Sequence, residues 1–368
     1  MLEYVPAVSG ALTFASKQSW AQGSVDMRWW KEGHPIRRKS LLISYFYGYQ
    51  NKNQYGFDHW RDVYEVPKDV VVYGDSGGYS QWSQGERFNP STVFNWQAQN
   101  CDIAFILDLP PRGLHAETIS DGHFQDCAKF TEKSIRDIKS EAQKHDVKLY
   151  GVLHGISYRE IKFWWKNVIE PHLDLFDGIA CSPRPPNDSV AAALHLSFLR
   201  EKGIKNVHIF AMSGQKGLIS GAYFSKDFNK LTSDTSSFSM LAGRGKIMLT
   251  LFITDQPAGD SADKLNIDYS IFPCICPFCK DAESKGIQFT KFSETLHYLY
   301  GYLHNLYKLF ELEKFANWLA LNDDIFQKYI KKYPRVEEAV EIYDKAKEKG
   351  FEDAWGGYRE APNLQDWL

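Results

Sequence analysis

Three of the six cysteines of this chain fall within six residues, at Cys274, Cys276 and Cys279 in the pattern Cys-x-Cys-x-x-Cys. His304 follows 25 residues after Cys279 and can supply a fourth ligand, with His297 as a rival on the same predicted helix. Three thiolates and one imidazole form the closed tetrahedral set that holds structural Zn²⁺ in proteins. We therefore expect a zinc site that orders a late segment of the chain and performs no chemistry.

A second set of reactive side chains falls where short apolar stretches end. In chain order these residues are Asp75, Asp108, His154, Ser182, Met212 and Asp234. The loops that follow the strands of a parallel barrel form one mouth, so these side chains are expected to converge there. A single Asp is often only a cap or turn residue. Three carboxylates at one mouth suit a reaction at an anomeric carbon, where one attacks and another moves a proton.

The strands that must position these residues are predicted from apolar, β-prone stretches. They cover residues 41–47, 70–73, 102–107, 148–153, 178–180 and 207–211, with a seventh strand and its end over 230–238. Helical patterns occur between them, at 90–100, 124–145, 158–168 and 189–201. Strands that are apolar throughout are buried on both faces, as in parallel sheets. At least six such units, without a Gly-x-Gly-x-x-Gly after the first strand, favour an α/β fold of the (β/α)8 TIM-barrel type over a dinucleotide-binding fold.

The remaining sequence divides into regions that flank the barrel. We interpret residues 1–38 as an N-terminal lead-in or cap and 39–270 as the catalytic (β/α)8 barrel. Residues 271–311 are then an inserted zinc-binding subdomain, and 312–368 a helical C-terminal extension. A strand-like stretch at 245–253 could belong to the barrel or to the zinc excursion.

The composition is that of an ordinary globular protein, with 43% hydrophobic residues, 24% charged residues and a net charge of −3. The global charge gives no argument for nucleic acid, so any basic surface has to be local. We expect neither a signal peptide nor a membrane span, because no basic and apolar leader and no apolar run of about 18 residues occurs. The other three cysteines are scattered, which predicts a reducing, cytoplasmic location without a disulfide framework.

Two sequence motifs together resemble the tRNA-guanine transglycosylase superfamily over roughly residues 40–310. They are Asp75-Ser-Gly-Gly-Tyr79 and the cysteine pattern followed by His304-Asn305-Leu306. Members of that superfamily are zinc-bearing (β/α)8 barrels that exchange a guanine base for a 7-deazaguanine. The resemblance implies that His304, rather than His297, completes the zinc site.

The resemblance also implies catalytic roles for two of the strand-end carboxylates. Asp75 matches the general acid/base aspartate of the family, and Asp234 best matches its nucleophile. Asp255 and Asp268 are weaker candidates for the nucleophile, because neither follows a short strand at the expected place.

Five further residues are expected to bind the base, and three of them match the family's base-binding residues. Tyr79 matches the aromatic side chain that stacks on it, and Gly78 lets the backbone approach a flat ligand closely. Asp108 stands where the family has a base-reading aspartate, and Met212 matches the methionine on the opposite face of the base. His154 replaces the Gln of the tRNA enzymes, which alters the expected hydrogen bonds to the base.

Departures from the tRNA enzymes favour DNA as the substrate. A Pro-Thr-Arg-type segment after the nucleophile is absent, and Ala180-Cys-Ser-Pro-Arg184 replaces an expected Gly-Gly-Leu. The Asp-Thr-Ser-Ser-Phe sequence from Asp234 is more similar to the DpdA-type branch, which inserts 7-deazaguanines into DNA. Arg244 and Lys246, which follow Asp234, are expected to contact phosphates. Arg112, His115 and Arg184 are unranked candidates on the mouth loops.

The resulting hypothesis is a base-exchange enzyme that works through a covalent Asp234 intermediate and inserts a base such as 7-cyano-7-deazaguanine. Its expected partners are DNA, that base, structural Zn²⁺ and a second copy of the chain docked through the zinc subdomain. The first alternative is a transglycosylase acting on tRNA. The second is a non-catalytic nucleic-acid-binding subunit on the same fold, against which the presence of both Asp75 and Asp234 argues.

Overall fold

The computed structural model describes residues 1–8, 25–50, 59–85, 87–112, 119–244, 247–248, 274–286 and 295–356. Its centre is a closed barrel of eight parallel strands, in which each strand pairs with its neighbours in sequence and the last returns to the first. The strands are β1 (Leu2–Val8), β2 (Ser40–Ser44), β3 (Val71–Asp75), β4 (Ile103–Phe105), β5 (Lys148–Leu153), β6 (Gly178–Cys181), β7 (Asn206–Ile209) and β8 (Lys230–Thr235). The predicted TIM barrel is therefore confirmed.

The first strand lies in the region that the sequence analysis assigned to a lead-in. β1 pairs with β8 over its first five residues, from Leu2 to Pro6, and with β2 at Ala7 and Val8. The assignment of residues 1–38 to a separate cap is thus wrong for β1, and the seven predicted strands are β2 to β8. The ring is complete at Thr235 rather than at residue 270. Pro6 has no N–H to donate to a strand ladder, so the sequence of this stretch does not match the pattern of a central strand.

The helices surround the barrel and follow the predicted alternation. They are α1 (Tyr45–Gln50), α2 (Trp60–Val63), α3 (Gly78–Gln84), α4 (Pro90–Asn100), α5 (Asp121–Ala142), α6 (Tyr158–Trp164), α7 (Ser189–Glu201), α8 (Gln215–Phe224), α9 (Ser237–Gly243), α10 (Pro277–Ser284), α11 (Thr295–Ala320), α12 (Asp323–Ile330), α13 (Pro334–Lys349) and α14 (Phe351–Trp355). Helix α6 continues as a π-helical turn, Trp165–Ile169. Side chains of the preceding residues accept backbone N–H groups at the starts of α4 to α7, which fixes where these helices begin. No helix in these ranges is both long and apolar enough to cross a bilayer.

Aromatic rings fill the barrel beneath its mouth. Tyr73 from β3, Phe105 from β4, Tyr150 from β5 and His208 from β7 are all nearly inaccessible to solvent. The ring of His208 lies 4.9 Å from that of Phe105 and 5.6 Å from that of Tyr73, measured between centroids. Because these rings come from opposite sides of the ring of strands, the interior is a packed floor rather than a pore.

Helix α11 completes the seam between β1 and β2, where strand pairing is short. The N–H of Leu2 donates to Asn317 Oδ1 at 2.9 Å, and Asn317 Nδ2 donates to the carbonyl of Leu2 at 2.8 Å. The N–H of Tyr4 donates to Glu313 Oε1 at 3.0 Å, and the other oxygen of Glu313 pairs with Arg38, just before β2. Side chains of α11 thus supply hydrogen-bond partners that the ladder lacks.

The C-terminal helices belong to the outer layer of the barrel. Helix α11 packs against β1, α8 and α9, and α13 packs against α7 and α8. The predicted boundary between residues 311 and 312 falls inside α11, so a separate extension cannot begin there. Residues 245–246 and 249–273, which include most of the predicted strand at 245–253, lie outside the described residues.

We expect Asn317→Ala to lower the free energy of unfolding by about 2 kcal/mol, because it removes two hydrogen bonds at a half-buried seam. Urea unfolding followed by circular dichroism measures this. The matched control is Asn167→Ala, whose exposed side chain bonds only a carbonyl of its own helical turn and should cost much less. Equal losses in the two variants would show that α11 does not stabilise the seam.

Candidate active site and metal centre

The mouth of the barrel brings the three predicted carboxylates together. Asp75 ends β3, Asp234 is the fifth residue of β8, and Asp108 follows β4 by three residues. The charges of Asp108 and Asp234 both act on Asp75. The convergence that the sequence predicted for these side chains therefore occurs.

Asp75 has the environment of a group that changes protonation near neutral pH. Burial raises the pKa of Asp75 to about 6, and the carboxylates of Asp108 and Asp234 push it in the same direction. The Ser44 hydroxyl and the Gly77 backbone act the other way and limit the rise. A carboxyl group with this pKa can give and take a proton within one catalytic cycle.

Asp108 is held against His154 and leaves space only for glycine beside it. Asp108 Oδ2 lies 2.6 Å from His154 Nε2, and both side chains are largely buried. A Cβ atom at Gly78 would come within 2.5 Å of both the carbonyl oxygen and Oδ1 of Asp108. Gly78 is therefore needed for close packing between α3 and the loop after β4. In this structure His154 is therefore a direct partner of Asp108.

Asp234 is oriented by groups that the sequence analysis did not identify. Its Oδ1 accepts the N–H of Ala211 at 3.0 Å and lies 3.3 Å from His208 Nε2. The other ring nitrogen of His208 lies 2.8 Å from Thr232 Oγ1. An ionised carboxylate only accepts hydrogen bonds, so Nε2 of His208 must carry a proton to bond it. Within the described part of the chain, Asp234 Oδ2 has no hydrogen-bond partner, which leaves this oxygen available to attack.

His208 could not have been found from its position in the sequence. It is the third residue of β7, in Asn206–Ile209, and is fully buried, so in the sequence it resembles any core residue of a strand. Only the register of the two strands reveals its position: β7 pairs with β8 so that His208 lies opposite Thr232. That register places the imidazole two residues before the level of Asp234.

The position of Met212 does not support its predicted role on the face of a base. Its side chain is 1% exposed and runs along α8, because a Cβ added at Gly217 or Gly221 would meet its Cγ or Cε within 2.7 Å. Ala211, directly before it, has a left-handed φ of 56°, which turns the chain as it leaves β7. The thioether is packed beneath a helix and offers no free face to a ligand.

The remaining residues predicted at the mouth differ in their exposure and in their bonding partners. Tyr79 is 36% exposed on α3, and its hydroxyl lies within electrostatic range of Arg184 on the loop after β6. Arg112 is buried and bonds both carboxylate oxygens of Glu160, at 2.6 and 3.1 Å. Its guanidinium therefore stabilises the fold and is not available to bind a ligand. His115 lies outside the described residues.

The nucleic-acid contacts predicted after Asp234 are only partly described. Arg244 follows α9 directly and is exposed, as a residue that contacts phosphates must be. Lys246 lies outside the described residues.

The cysteine pattern and His304 form one cluster. The Sγ atoms of Cys274, Cys276 and Cys279 lie 3.5, 3.5 and 3.1 Å from His304 Nδ1, and all four ligand atoms lie within 4.8 Å of one another. A tetrahedral zinc ion would set each of these S–N distances at about 3.6 Å, so the cluster fits. This group can hold a metal ion; nothing is described of the His297 side chain.

The surroundings of the cluster prepare His304 as a ligand. His304 Nε2 lies 2.8 Å from the carbonyl oxygen of Met248, which can only accept, so Nε2 carries the proton. Nδ1 then presents its lone pair to the thiolates and the metal, as in other histidine metal sites. Cys276 is also the N-cap of α10, and its Sγ accepts the N–H of Cys279 at 3.3 Å.

We expect Cys276→Ala to lose bound zinc and to unfold at a lower temperature, since removing one of four ligands opens a structural site. Metal analysis of the purified protein and thermal unfolding measure the two effects. Cys127→Ala is the control, because Cys127 is also buried but lies outside the cluster. One equivalent of zinc in Cys276→Ala would contradict this ligand set.

We expect Asp75→Asn to raise the free energy of unfolding at pH 7.5 by roughly 2 kcal/mol, because it removes a buried charge. The pKa of Asp75 is raised on folding, so its ionisation costs stability as the pH rises through about 6. The gain should therefore vanish at pH 4. Asp174→Asn, at an exposed carboxylate, should show no such gain. An equal effect of Asp75→Asn at both pH values would refute the raised pKa.

No family model and no curated protein matches this chain. Its activity therefore has to be inferred from the geometry and chemistry of the site.

Proposed function

We propose that this protein is a nucleic-acid guanine transglycosylase, a pentosyltransferase that replaces guanine in DNA with a 7-deazaguanine such as 7-cyano-7-deazaguanine. One observation carries the proposal. Asp75 and Asp234 share one barrel mouth but have different environments. Asp75 is protonatable near neutral pH, whereas one oxygen of Asp234 is held by donors and its other oxygen has no partner among the described residues. Two carboxylates with divided roles are what base exchange at an anomeric carbon requires.

In the first half of the reaction, Asp234 Oδ2 attacks C1′ of the target nucleotide and the bond from C1′ to guanine N9 breaks. Asp75 gives its proton to the departing guanine. The Ala211 N–H and His208 hold the other oxygen of Asp234 and so fix the direction of attack. A covalent glycosyl-enzyme results.

In the second half, the incoming 7-deazaguanine attacks C1′ and releases Asp234. Its N9 proton passes to Asp75, which is ionised after the first half. Two displacements at one carbon retain the β configuration. The raised pKa of Asp75, about 6, allows the same carboxyl group to serve as the acid and then as the base.

The target guanine must leave its stack to reach the mouth, which costs a few kcal/mol and favours flipped or unpaired bases. The exposed guanidinium of Arg244 is suited to phosphate contacts beside the mouth. We assign zinc as the metal of the Cys274, Cys276, Cys279 and His304 cluster, with a structural role. The preference for DNA rests on the sequence around Asp234, and tRNA is the second candidate substrate.

We expect wild-type protein, incubated with guanine-containing DNA, to form a covalent adduct that survives denaturing electrophoresis. Asp234→Ala should form none, because the nucleophile is missing, and Asp75→Asn should form it about a hundredfold more slowly. Asp255→Ala and Asp268→Ala are the controls at the two weaker nucleophile candidates and should retain the adduct. An adduct in Asp234→Ala would show that another residue attacks.

The nucleic acid is identified with radiolabelled 7-cyano-7-deazaguanine and either duplex DNA or tRNA. Label in DNA is expected. Label only in tRNA would transfer the proposal to the first alternative, and no label or adduct with either would favour a non-catalytic binding subunit.

A further inference from the structure

Arg184 is a half-buried cation at the mouth, and no counter-ion for it occurs among the described residues. It lies on the loop between β6 and α7, and its Nη1 donates to the carbonyl of Pro183 at 3.4 Å, its one hydrogen bond within the described part of the chain. Among the residues that the structure describes, no carboxylate lies within ion-pair distance of it. Arg112, on another mouth loop, has the usual carboxylate partner, because both of its terminal nitrogens bond Glu160. An arginine left without such a partner is available to a ligand.

The loop that carries Arg184 is held in place from its far end. Asn187 Oδ1 accepts the N–H groups of Ser213 and Gly214 at 2.6 and 2.8 Å, which ties this loop to the next one. Asp188 caps α7 through the N–H of Ala191 and pairs with Arg335 at 3.0 Å. Arg184 is therefore presented by a fixed loop, which lowers the entropic cost of binding.

The groups around Arg184 place it beside the predicted base site. Burial lowers the pKa of Arg184, while the nearby Asp108 carboxylate and Tyr79 hydroxyl oppose that change. The neighbouring His195 adds no second positive charge, because burial lowers its pKa to about 4 and keeps it neutral. Arg184, on its mouth loop, is thus within electrostatic range of the carboxylate that faces Gly78 and of the tyrosine expected to cover the base.

We propose that Arg184 is a specificity residue that donates to O6 of the base and to an acceptor on its 7-substituent. The site would then select 7-deazaguanines that carry a nitrile, carboxamide or carboxylate over one that carries a cationic aminomethyl group. This inference rests on the proposed function and names the substrate class of the same site.

The order of groups around the base supports this placement. The Asp108 carboxylate only accepts, so it can bind only the N1–H and 2-amino edge of guanine. Along the perimeter from N1, O6 comes next and position 7 follows. A donor beside Asp108 therefore reaches O6 and then position 7, the pair of acceptors that arginine binds in guanine itself. The guanidinium of Arg184 can therefore bind the departing guanine through N7 and the incoming base through its 7-substituent.

The test compares transfer of 7-cyano- and 7-aminomethyl-7-deazaguanine into the nucleic acid by wild type and Arg184→Met. We expect wild type to prefer the cyano base, and the variant to lose on the order of ten- to a hundredfold in kcat/KM for that base, mainly through KM. The aminomethyl base should be transferred as well as before or better, since a repelling charge is gone. Arg184→Lys keeps the positive charge but not the paired N–H donors of the guanidinium, so it should recover only part of the preference for the cyano base.

Arg136→Met, at an exposed arginine on α5, is the matched control and should leave both bases unaffected. Calorimetric binding of each free base to the same proteins gives a readout without turnover, and thermal unfolding checks that Arg184→Met is folded. An unchanged ratio between the two bases in Arg184→Met, or a wild-type preference for the aminomethyl base, would overturn the inference while the transglycosylase activity stands. Transfer of neither base by wild type would overturn the proposed function, and this inference with it.

Discussion

The closure of the parallel ladder between β1 and β8 is the constraint on which the rest of the structure depends. It brings every strand end to one rim, so residues as distant in sequence as Asp75 and Asp234 meet at one mouth. It also sets Val5 opposite Asp234 and so fixes the height of the proposed nucleophile in the barrel. The packed aromatic floor below excludes water and leaves the mouth as the place for a ligand.

Helix α11 links this closure to the metal centre. His304, in its first half, completes the cysteine cluster, and Asn305 accepts the N–H of Met248 at 2.7 Å while donating to the carbonyl of Phe238. Glu313 and Asn317, further along, bond the backbone of β1. A rigid helix joins these contacts, so order in the cysteine cluster and order at the barrel seam depend on one element. A metal ion held by this cluster would in this way support the fold around the site.

Charge at the mouth is distributed unevenly, and this distribution is what suggests a reaction. Burial and two neighbouring carboxylates raise the pKa of Asp75, whereas Asp234 receives a backbone N–H and faces the imidazole of His208. Arg184 adds a positive charge that no carboxylate among the described residues neutralises by direct contact. Such an arrangement costs stability in the free protein, which is usual where binding and catalysis are prepared in advance.

Local sequence by itself determined most of the strands β2 to β8, because they are apolar on both faces. It also determined the three thiolates of the cluster, because Cys-x-Cys-x-x-Cys needs only a short turn to bring them together. The strand-end carboxylates followed from the same periodicity. Only the tertiary structure decided the rest. It made Leu2–Val8 a barrel strand despite Pro6, because α11 and β8 supply its partners, and it packed Met212 against the glycines of α8. It also placed His208 beneath Asp234 and gave Arg184 no counter-ion among the residues that the structure describes. These features depend on contacts between segments far apart in the chain, and such contacts leave no periodic signal in the sequence.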